Sequence, residues 1–184
     1  SYLEGKEWGT AKVLVAGLGE RQREGKGLAD LPDATLLAGL YELWYRRYSD
    51  AVPDGLIEAL EAQLRIRGLW ERALRGYIEP QFVVAREHID GLYQLTRSKR
   101  DAALAARLAA DWLDRYPKMA AEREAELVDR LIASGEWERL RQIAAARRPA
   151  GIADDERHRN WLAVELLVDF DKTRAKLEAP GPPE

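Results

Sequence analysis

An apolar stretch rich in aromatic side chains, residues 36–48 (LLAGLYELWYRRY), places the tightest constraint on the fold. Its aromatic residues stand at i, i+3, i+4 and i+7, the spacing that gathers side chains on one face of an α-helix. They are Tyr41, Trp44, Tyr45 and Tyr48. Leucines widen this apolar face beyond a narrow stripe, so a helix here must be buried on more than one side. The stretch therefore predicts a helix surrounded by packed neighbours, with Asp30 as its N-cap and Pro32 in its first turn.

Two interpretations of this aromatic face remain open. It fits a buried core helix, the ordinary role of an apolar face. Bulky rings in such number within two turns are more than a core usually needs, so the face also fits a groove for a partner peptide or for stacked bases. The candidate partner-binding residues are then the aromatic residues and the two arginines between them: Tyr41, Trp44, Tyr45, Tyr48, Arg46 and Arg47.

The rest of the chain predicts further helices. Ala, Leu, Glu and Arg are abundant, β-branched runs are few, and apolar residues recur at every third or fourth position. Glycines and prolines mark the expected boundaries, among them Pro80 and Gly135, the latter as a helix-ending C′ residue. We expect an all-α fold of about eight or nine helices, arranged as an array of antiparallel helical hairpins, an α-solenoid of the HEAT- or TPR-like kind. Residues 1–179 then form a single helical-repeat domain, and residues 180–184 a proline-rich tail or linker, because proline cannot continue a helix.

One segment also fits a different fold. Residues 12–19 (KVLVAGLG) lie in a stretch with helical spacing but could instead form a buried strand that enters a glycine turn, as at the start of a dinucleotide-binding site. The third glycine of that motif would fall where Gln22 stands. No alternation of strands and helices follows, so a parallel sheet has no further strands to be built from. The helix is the expectation and the strand is the alternative.

A glycine–tryptophan sequence occurs twice. Gly68-Leu-Trp70-Glu-Arg returns as Gly135-Glu-Trp137-Glu-Arg, and the leucines upstream keep the same register. The copies lie about two repeat lengths apart for a helical hairpin of roughly 33–34 residues, although no copy stands at the midpoint. Each copy predicts a leucine-faced helix, a glycine turn and a tryptophan that fills the gap between the two helices of a hairpin. A chance match between helical sequences is the alternative.

The chain has no recognisable catalytic or metal-binding motif. It contains no cysteine and two histidines, His88 and His158, and neither an HExxH motif nor a pair of Glu-x-x-His motifs is present. No serine stands in G-x-S-x-G, and the glycines from Gly19 onward have the wrong spacing for a phosphate-binding loop. We therefore expect no enzyme activity, no cofactor and no metal in this chain. An enzyme with a dispersed carboxylate site, or with a cofactor in the helix core, is the least favoured alternative.

The charge distribution bears on nucleic-acid and membrane partners. The net charge is −3, so no overall field favours nucleic acid or an acidic membrane surface. No apolar run approaches the roughly 18 residues that span a bilayer. The absence of cysteine fits a reducing cytoplasm, and Ser1 in place of a starting methionine fits a domain of a longer protein. Basic clusters aligned on one face could still bind nucleic acid through Arg46, Arg47, Lys99, Arg100, Arg147 and Arg148.

A shared pattern of leucine and aromatic spacing marks two segments, GLADLPDATLLAGLYELWYRRY within residues 8–48 and DDERHRNWLAVELLVDFDKTRAKLE within residues 132–178. In this pattern the chain resembles the helical-repeat region that follows the NTPase module in bacterial NACHT-type STAND proteins. The resemblance implies a HEAT- or TPR-like array that senses a ligand, often a protein, and releases the NTPase for signalling or antiviral defence. Residues 51–130 depart from the family's pattern. No NTPase motif is present, so the resemblance places any enzyme activity outside this chain.

Together these patterns predict a non-catalytic, cytoplasmic interaction or scaffold domain. We expect it to serve as the ligand-sensing arm of a larger protein and to bind a protein or peptide partner. A helical protein that binds nucleic acid through its Arg and Lys clusters is the alternative.

Overall fold

The structure, a computed structural model, describes residues 8–45, 53–84, 86, 88–147 and 155–170. Within these ranges the chain forms nine α-helices and no strand. The helices are α1 (Trp8–Arg23), α2 (Asp33–Tyr45), α3 (Leu56–Ile66), α4 (Trp70–Val83), α5 (Leu92–Arg97), α6 (Ala102–Arg115), α7 (Ala121–Ala133), α8 (Trp137–Ala146) and α9 (Asp155–Val168). The expected all-α class is confirmed. The alternative strand at residues 12–19 is wrong, because this segment lies inside α1.

The chain divides into two compact units, Ser1–Ile78 and Glu79–Glu184. Helix α4 contributes to both, because it runs through the boundary between them. A division into compact units does not decide whether the units fold independently, so one domain over residues 1–179 stays a prediction. The proline-rich residues 180–184 lie outside the described residues.

In the first unit, α1, α2 and α3 pack against one another around leucine side chains. Leu36, Leu40 and Leu43 of α2 are completely buried, which agrees with the apolar face expected there. Gly39 in the middle of α2 meets Leu18 of α1, and a Cβ at this position would overlap the leucine side chain. The missing side chain therefore lets α1 and α2 approach closely.

The start of α2 differs from the expectation. The amides of Thr35 and Leu36 donate to the carbonyl oxygen of Pro32, at 3.0 and 3.2 Å. Asp30 is not the N-cap, because its carboxylate pairs with the guanidinium of Arg21 near the end of α1. The proline backbone, rather than an acidic side chain, thus accepts the first hydrogen bonds of this helix.

In the second unit, successive helices pack against the next helix and the next but one. Helix α5 contacts α6 and α7, α6 contacts α7 and α8, and α7 contacts α8 and α9. Arg130 of α7 donates to the carbonyl oxygens of Thr96 and Ala102, at 3.0 and 3.1 Å, and so ties the end of α5 to the start of α6. The fully buried leucines of this unit are Leu92, Leu108, Leu113, Leu127, Leu131 and Leu140.

Pro80 does not end a helix as expected, because α4 continues through it to Val83. A proline inside a helix removes one backbone hydrogen bond and crowds the carbonyl four residues earlier. Ile78 and Phe82, on either side of Pro80, are both buried. Packing of these neighbours offsets the local penalty and keeps the helix continuous.

The two glycine–tryptophan copies form the same backbone corner. In each copy the amide after the glycine bonds to the carbonyl five residues earlier, at 2.8 Å in the first copy and 3.1 Å in the second. Both glycines have a positive φ, 69° at Gly68 and 71° at Gly135. These are the features of the Schellman motif, which ends a helix with a left-handed residue. The prediction that Gly135 is a C′ residue is confirmed.

The tryptophans of the two corners have different surroundings. Trp70 is 9% exposed, whereas Trp137 is 43% exposed and does not fill a gap between helices. Trp70 is covered by Trp44 of α2, with ring centroids 5.7 Å apart, and by the guanidinium of Arg65. The repeated sequence therefore specifies the same backbone turn twice but not the same packing of the tryptophan.

Candidate partner-binding site

Four aromatic rings from two helices meet in the first unit. Tyr41 and Trp44 come from α2, and Trp70 and Tyr77 come from α4. The centroid of Trp44 lies 5.7 Å from that of Trp70 and 5.0 Å from that of Tyr77, both in edge-to-face arrangements. Tyr41 lies 5.7 Å from Tyr77. These separations are those of favourable aromatic pairs, and we call the four residues the aromatic cluster.

Helical spacing on both chain segments creates the aromatic cluster. Tyr41 and Trp44 were predicted from the spacing of α2, whereas Trp70 and Tyr77 were not predicted as members. The two missed residues stand two turns apart on α4 and so share a face. Gly76 lies beside the Tyr41 hydroxyl, which a Cβ at this position would overlap. A glycine inside a helix, next to a seven-residue aromatic spacing, is the sequence signal that could have identified this surface.

The aromatic cluster is partly open to solvent. Trp70 is buried, whereas Tyr41, Trp44 and Tyr77 are only half-buried. Tyr45 follows Trp44 at the end of α2 and is 55% exposed. Aromatic-lined surfaces of this kind receive proline and other apolar side chains in many peptide-binding domains. A partner could therefore contact these rings without first unpacking the core.

Two arginines act on residues of the aromatic cluster, Arg65 on Trp70 and Arg72 on Tyr41. The guanidinium carbon of Arg65 lies 3.9 Å from the ring centroid of Trp70, a cation–π contact. Burial raises the pKa of Tyr41 above its usual value, and the positive charge of Arg72 opposes this shift. The Tyr41 hydroxyl is therefore protonated at neutral pH. It is a neutral hydrogen-bonding group within an apolar surface.

The second unit contains an aromatic group of a different character. The ring centroid of Phe82 lies 5.4 Å from that of Trp112 and 5.3 Å from that of Tyr116. Trp112 is completely buried, and its indole N–H donates to Glu79 Oε1 at 3.0 Å. The burial of Phe82 and Trp112 and the satisfied N–H indicate that these two rings form core, whereas Tyr116 is half-buried. The aromatic cluster of the first unit, by contrast, leaves ring surface uncovered.

The other predicted partner-binding residues, Tyr48, Arg46 and Arg47, lie outside the described residues. Of the residues predicted for nucleic acid, Lys99 and Arg100 are exposed just before α6, and Arg148 is again outside the described part of the chain. The structure therefore brings Tyr41, Trp44 and Tyr45 together on α2 of the first unit, whereas Lys99 and Arg100 belong to the second unit.

Arg147 has an internal role that counts against phosphate binding. Its side chain is 12% exposed, and Nη1 lies 3.3 Å from Glu124 Oε1. The same guanidinium donates to the carbonyl oxygens of Leu113 and Pro117, the second at 2.9 Å. Burial lowers the pKa of Arg147, and the charge of Glu124 opposes this shift. Because its donors are directed at the protein, Arg147 is a structural residue here.

Glu124 is the centre of this arrangement. Its side chain is 3% exposed and lies between Arg147 and Arg157, with Arg157 Nε 3.0 Å from Oε2. Arg157 also donates to the carbonyl oxygen of Met119. The buried carboxylate of α7 thus pairs with one arginine at the end of α8 and another near the start of α9. Both arginines also bind backbone carbonyl groups around the end of α6.

The described ranges contain neither a group of metal-binding side chains nor a helix that could span a membrane. Over residues 8–45, 53–84, 86, 88–147 and 155–170, no three histidine or carboxylate side chains are grouped so as to hold a metal ion. No helix in those ranges is both long and apolar enough to cross a membrane.

The chain matches no protein-family model, and no curated protein or solved structure is significantly similar to it.

Proposed function

We propose that the chain is a non-catalytic helical interaction domain that binds a protein or peptide partner through the aromatic cluster and Tyr45. The observation that carries the proposal is the group of half-buried rings, Tyr41, Trp44 and Tyr77, beside a 55% exposed Tyr45. Ring surface that is ordered but uncovered supplies large contact area at little entropic cost, and aromatic residues are enriched where binding energy concentrates.

The partner that suits this surface is an extended peptide segment with proline or other apolar side chains. Such segments bind aromatic-lined grooves because their backbone is already extended and loses little entropy. Arg65 and Arg72 at the edge of the aromatic cluster favour a segment flanked by acidic residues. We extend the proposed contact surface to Tyr48, Arg46 and Arg47 on the basis of sequence alone.

The proposal includes an array of helical hairpins. Packing of successive helices against the next and the next but one in the second unit supports such an array, because stacked hairpins require both kinds of contact. We further propose that the array is HEAT- or TPR-like, lies in the cytoplasm and serves as the ligand-sensing arm of a larger bacterial NTPase. The sequence of the full gene product would test this part directly, since a phosphate-binding loop followed by this chain is expected there.

The binding proposal is tested with a matched pair of exposed tyrosines. Tyr45 and Tyr93 are 55% and 53% exposed, and they belong to α2 and α5. Peptides selected from a random dodecamer library against the wild-type chain would be titrated onto Tyr45→Ala and Tyr93→Ala by isothermal calorimetry. We expect Tyr45→Ala to weaken binding about tenfold or more, since an aromatic hot-spot residue contributes roughly 2 kcal/mol.

The control, Tyr93→Ala, is expected to leave the affinity unchanged. Equal losses in both variants, or selected peptides that bind both at wild-type affinity, would contradict the proposed surface. Selection of no peptide, together with saturable binding of a single-stranded oligonucleotide that weakens steeply with salt, would favour the nucleic-acid alternative, because phosphate contacts release counterions.

A further inference from the structure

The chain contains a segment with the chemistry proposed for the partner of the aromatic cluster. Residues 178–184 (EAPGPPE), which lie outside the described residues, contain a P-x-x-P sequence from Pro180 to Pro183. Sequences of this type favour the polyproline II conformation and bind grooves lined with aromatic side chains. Glu178 and Glu184 stand on either side of the prolines, and the segment has no basic residue. It therefore has both features of the proposed partner, proline side chains and flanking acidic groups.

The ring surface of the aromatic cluster fits the spacing of these prolines. The ring centroids of Tyr41, Trp44 and Tyr77 lie 5.0–6.4 Å from one another, and all three rings are half-buried. Tyr45, which follows Trp44 at the end of α2, adds exposed ring surface. Residues three apart in a polyproline II helix share a face and lie about 9 Å apart. Two prolines at this spacing extend over more than one ring, so each of them can pack against an aromatic side chain.

Charge favours the same segment. Arg72 of α4 is exposed, and its positive charge acts on the Tyr41 hydroxyl. The guanidinium carbon of Arg65 lies 3.9 Å from the ring centroid of Trp70. In the sequence, two further arginines at positions 46 and 47 follow Tyr45 directly. Complementary charges of this kind fix the orientation of a bound partner more than they add affinity, so we assign the affinity to the proline–ring contacts and the orientation to the glutamates.

We infer that the aromatic cluster and Tyr45 bind residues 178–184 of a second copy of this chain. The inference rests on the proposed function and names the partner. The prolines pack against the half-buried rings and Tyr45, and the two glutamates face the arginines. The surface and the segment belong to different compact units, so a contact between two copies requires no particular placement of the units within one chain. Because each copy carries one surface and one segment, the contact can be made twice in a symmetric dimer or repeated along a row of copies.

The contact is tested first with fluorescein-labelled peptides. The peptide KLEAPGPPE, the sequence of residues 176–184, is titrated with a full chain that carries Pro180→Ala and Pro183→Ala and so lacks a competing segment. We expect saturable binding by anisotropy, and a loss of about tenfold or more when alanines replace the peptide's prolines. Glutamines in place of its two glutamates should weaken binding less and reduce its dependence on salt. Adding Tyr45→Ala to the chain should weaken binding about tenfold, whereas adding Tyr93→Ala should leave it unchanged.

The link between copies is tested by sedimentation of the full chain. We expect the wild-type chain to associate as its concentration rises past the dissociation constant of the peptide. The chain with Pro180→Ala and Pro183→Ala should remain monomeric over the same range, with unchanged helix content by circular dichroism.

Two results would overturn the inference while the proposed function stands. One is that KLEAPGPPE does not bind, although library-selected peptides bind and lose affinity in Tyr45→Ala. The other is that KLEAPGPPE binds but the wild-type chain stays monomeric well above the dissociation constant of the peptide, which would exclude a contact between copies. If neither KLEAPGPPE nor any selected peptide binds, the inference and the proposed function fail together.

Discussion

The carboxylate of Glu124 is buried between two arginines that also bind backbone carbonyl groups around the end of α6. A buried ion pair gains little net stability, because desolvation of the charges offsets their attraction. Removal of one partner is nevertheless strongly destabilising, since the remaining charge is then buried without compensation. The position of Glu124 therefore makes a single side chain responsible for the junction of several helices.

Glu124→Gln is expected to lower the free energy of unfolding by about 3 kcal/mol, because Arg147 and Arg157 lose their common counter-charge. The control is Glu122→Gln on the same turn of α7, where the carboxylate is 70% exposed and pairs with Arg123. An exposed pair contributes under about 1 kcal/mol. Urea unfolding followed by circular dichroism at neutral pH measures both variants. Similar losses for the two substitutions would show that burial of Glu124 has no special energetic role.

The raised pKa of the Tyr41 hydroxyl makes the stability of the folded chain depend on pH. Burial raises its pKa in the folded chain above the value of about 10 found in unfolded chains. Above that pH the unfolded chain has released the proton while the folded chain still holds it, so stability falls as the pH rises. The stabilising contribution is fully present below about pH 10 and is lost as the pH passes through the higher folded pKa.

Tyr41→Phe is therefore expected to reduce the loss of stability above pH 10. Part of the loss will remain, because burial also raises the pKa of Tyr116. Urea midpoints measured from pH 8 to pH 11.5 for the wild-type chain and the variant test this expectation. An unchanged alkaline slope in Tyr41→Phe would place the titrating group elsewhere.

At the residue scale, the features that could be predicted from the sequence are those with a local signal. Tyr41, Trp44 and Tyr45 lie within two turns of one helix, so their common face could be predicted from spacing. Trp70 and Tyr77 join them from another helix, and no local pattern reveals which faces of two helices meet.

At the scale of the helices, backbone turns were easier to predict than the length of a helix. Gly68 and Gly135 fixed the ends of α3 and α7, because a left-handed residue after a helix is strongly restricted to glycine. The helix boundary predicted at Pro80 was wrong, because the burial of Ile78 and Phe82 within α4 outweighs the local penalty of the proline. Local rules thus hold where the backbone is strained and fail where side-chain packing supplies more free energy than the local preference.

Gly68→Ala and Gly135→Ala should each lower the free energy of unfolding by about 1 kcal/mol, because alanine is strained in the left-handed conformation. The two losses should be similar, since an added Cβ meets nothing within 4 Å at Gly68 and only an ordinary contact at 3.9 Å at Gly135. Thermal unfolding measures the changes.

The control for these variants is Gly17→Ala. Gly17 lies inside α1, where a Cβ meets nothing within 4 Å, so alanine should stabilise the helix by about 0.5–1 kcal/mol. Losses that differ widely between Gly68 and Gly135 would mean that the two corners are energetically unrelated, whatever their shared backbone geometry.

At the scale of the whole molecule, charge and the placement of arginines bear on the choice of partner. The chain carries a net charge of −3, and several arginines are committed to contacts within the protein. Lys99 and Arg100 are exposed, but Arg147 is directed inward by Glu124 and two carbonyl groups. A surface that binds phosphate needs several free cationic groups along one track, and the described part of the chain offers this less readily than it offers uncovered aromatic rings.

We therefore expect weak binding to a fluorescent single-stranded 20-mer, with a Kd above about 10⁻⁴ M at physiological salt, the weak end of non-specific affinity. Lys99→Ala combined with Arg100→Ala should change the slope of log K against log salt by no more than about 1.4, the value for two phosphate contacts on a single strand. Fluorescence anisotropy between 50 and 300 mM salt measures both quantities. Micromolar affinity with a steep slope that the double substitution lowers by more than this amount would instead make residues 99–100 part of a nucleic-acid site.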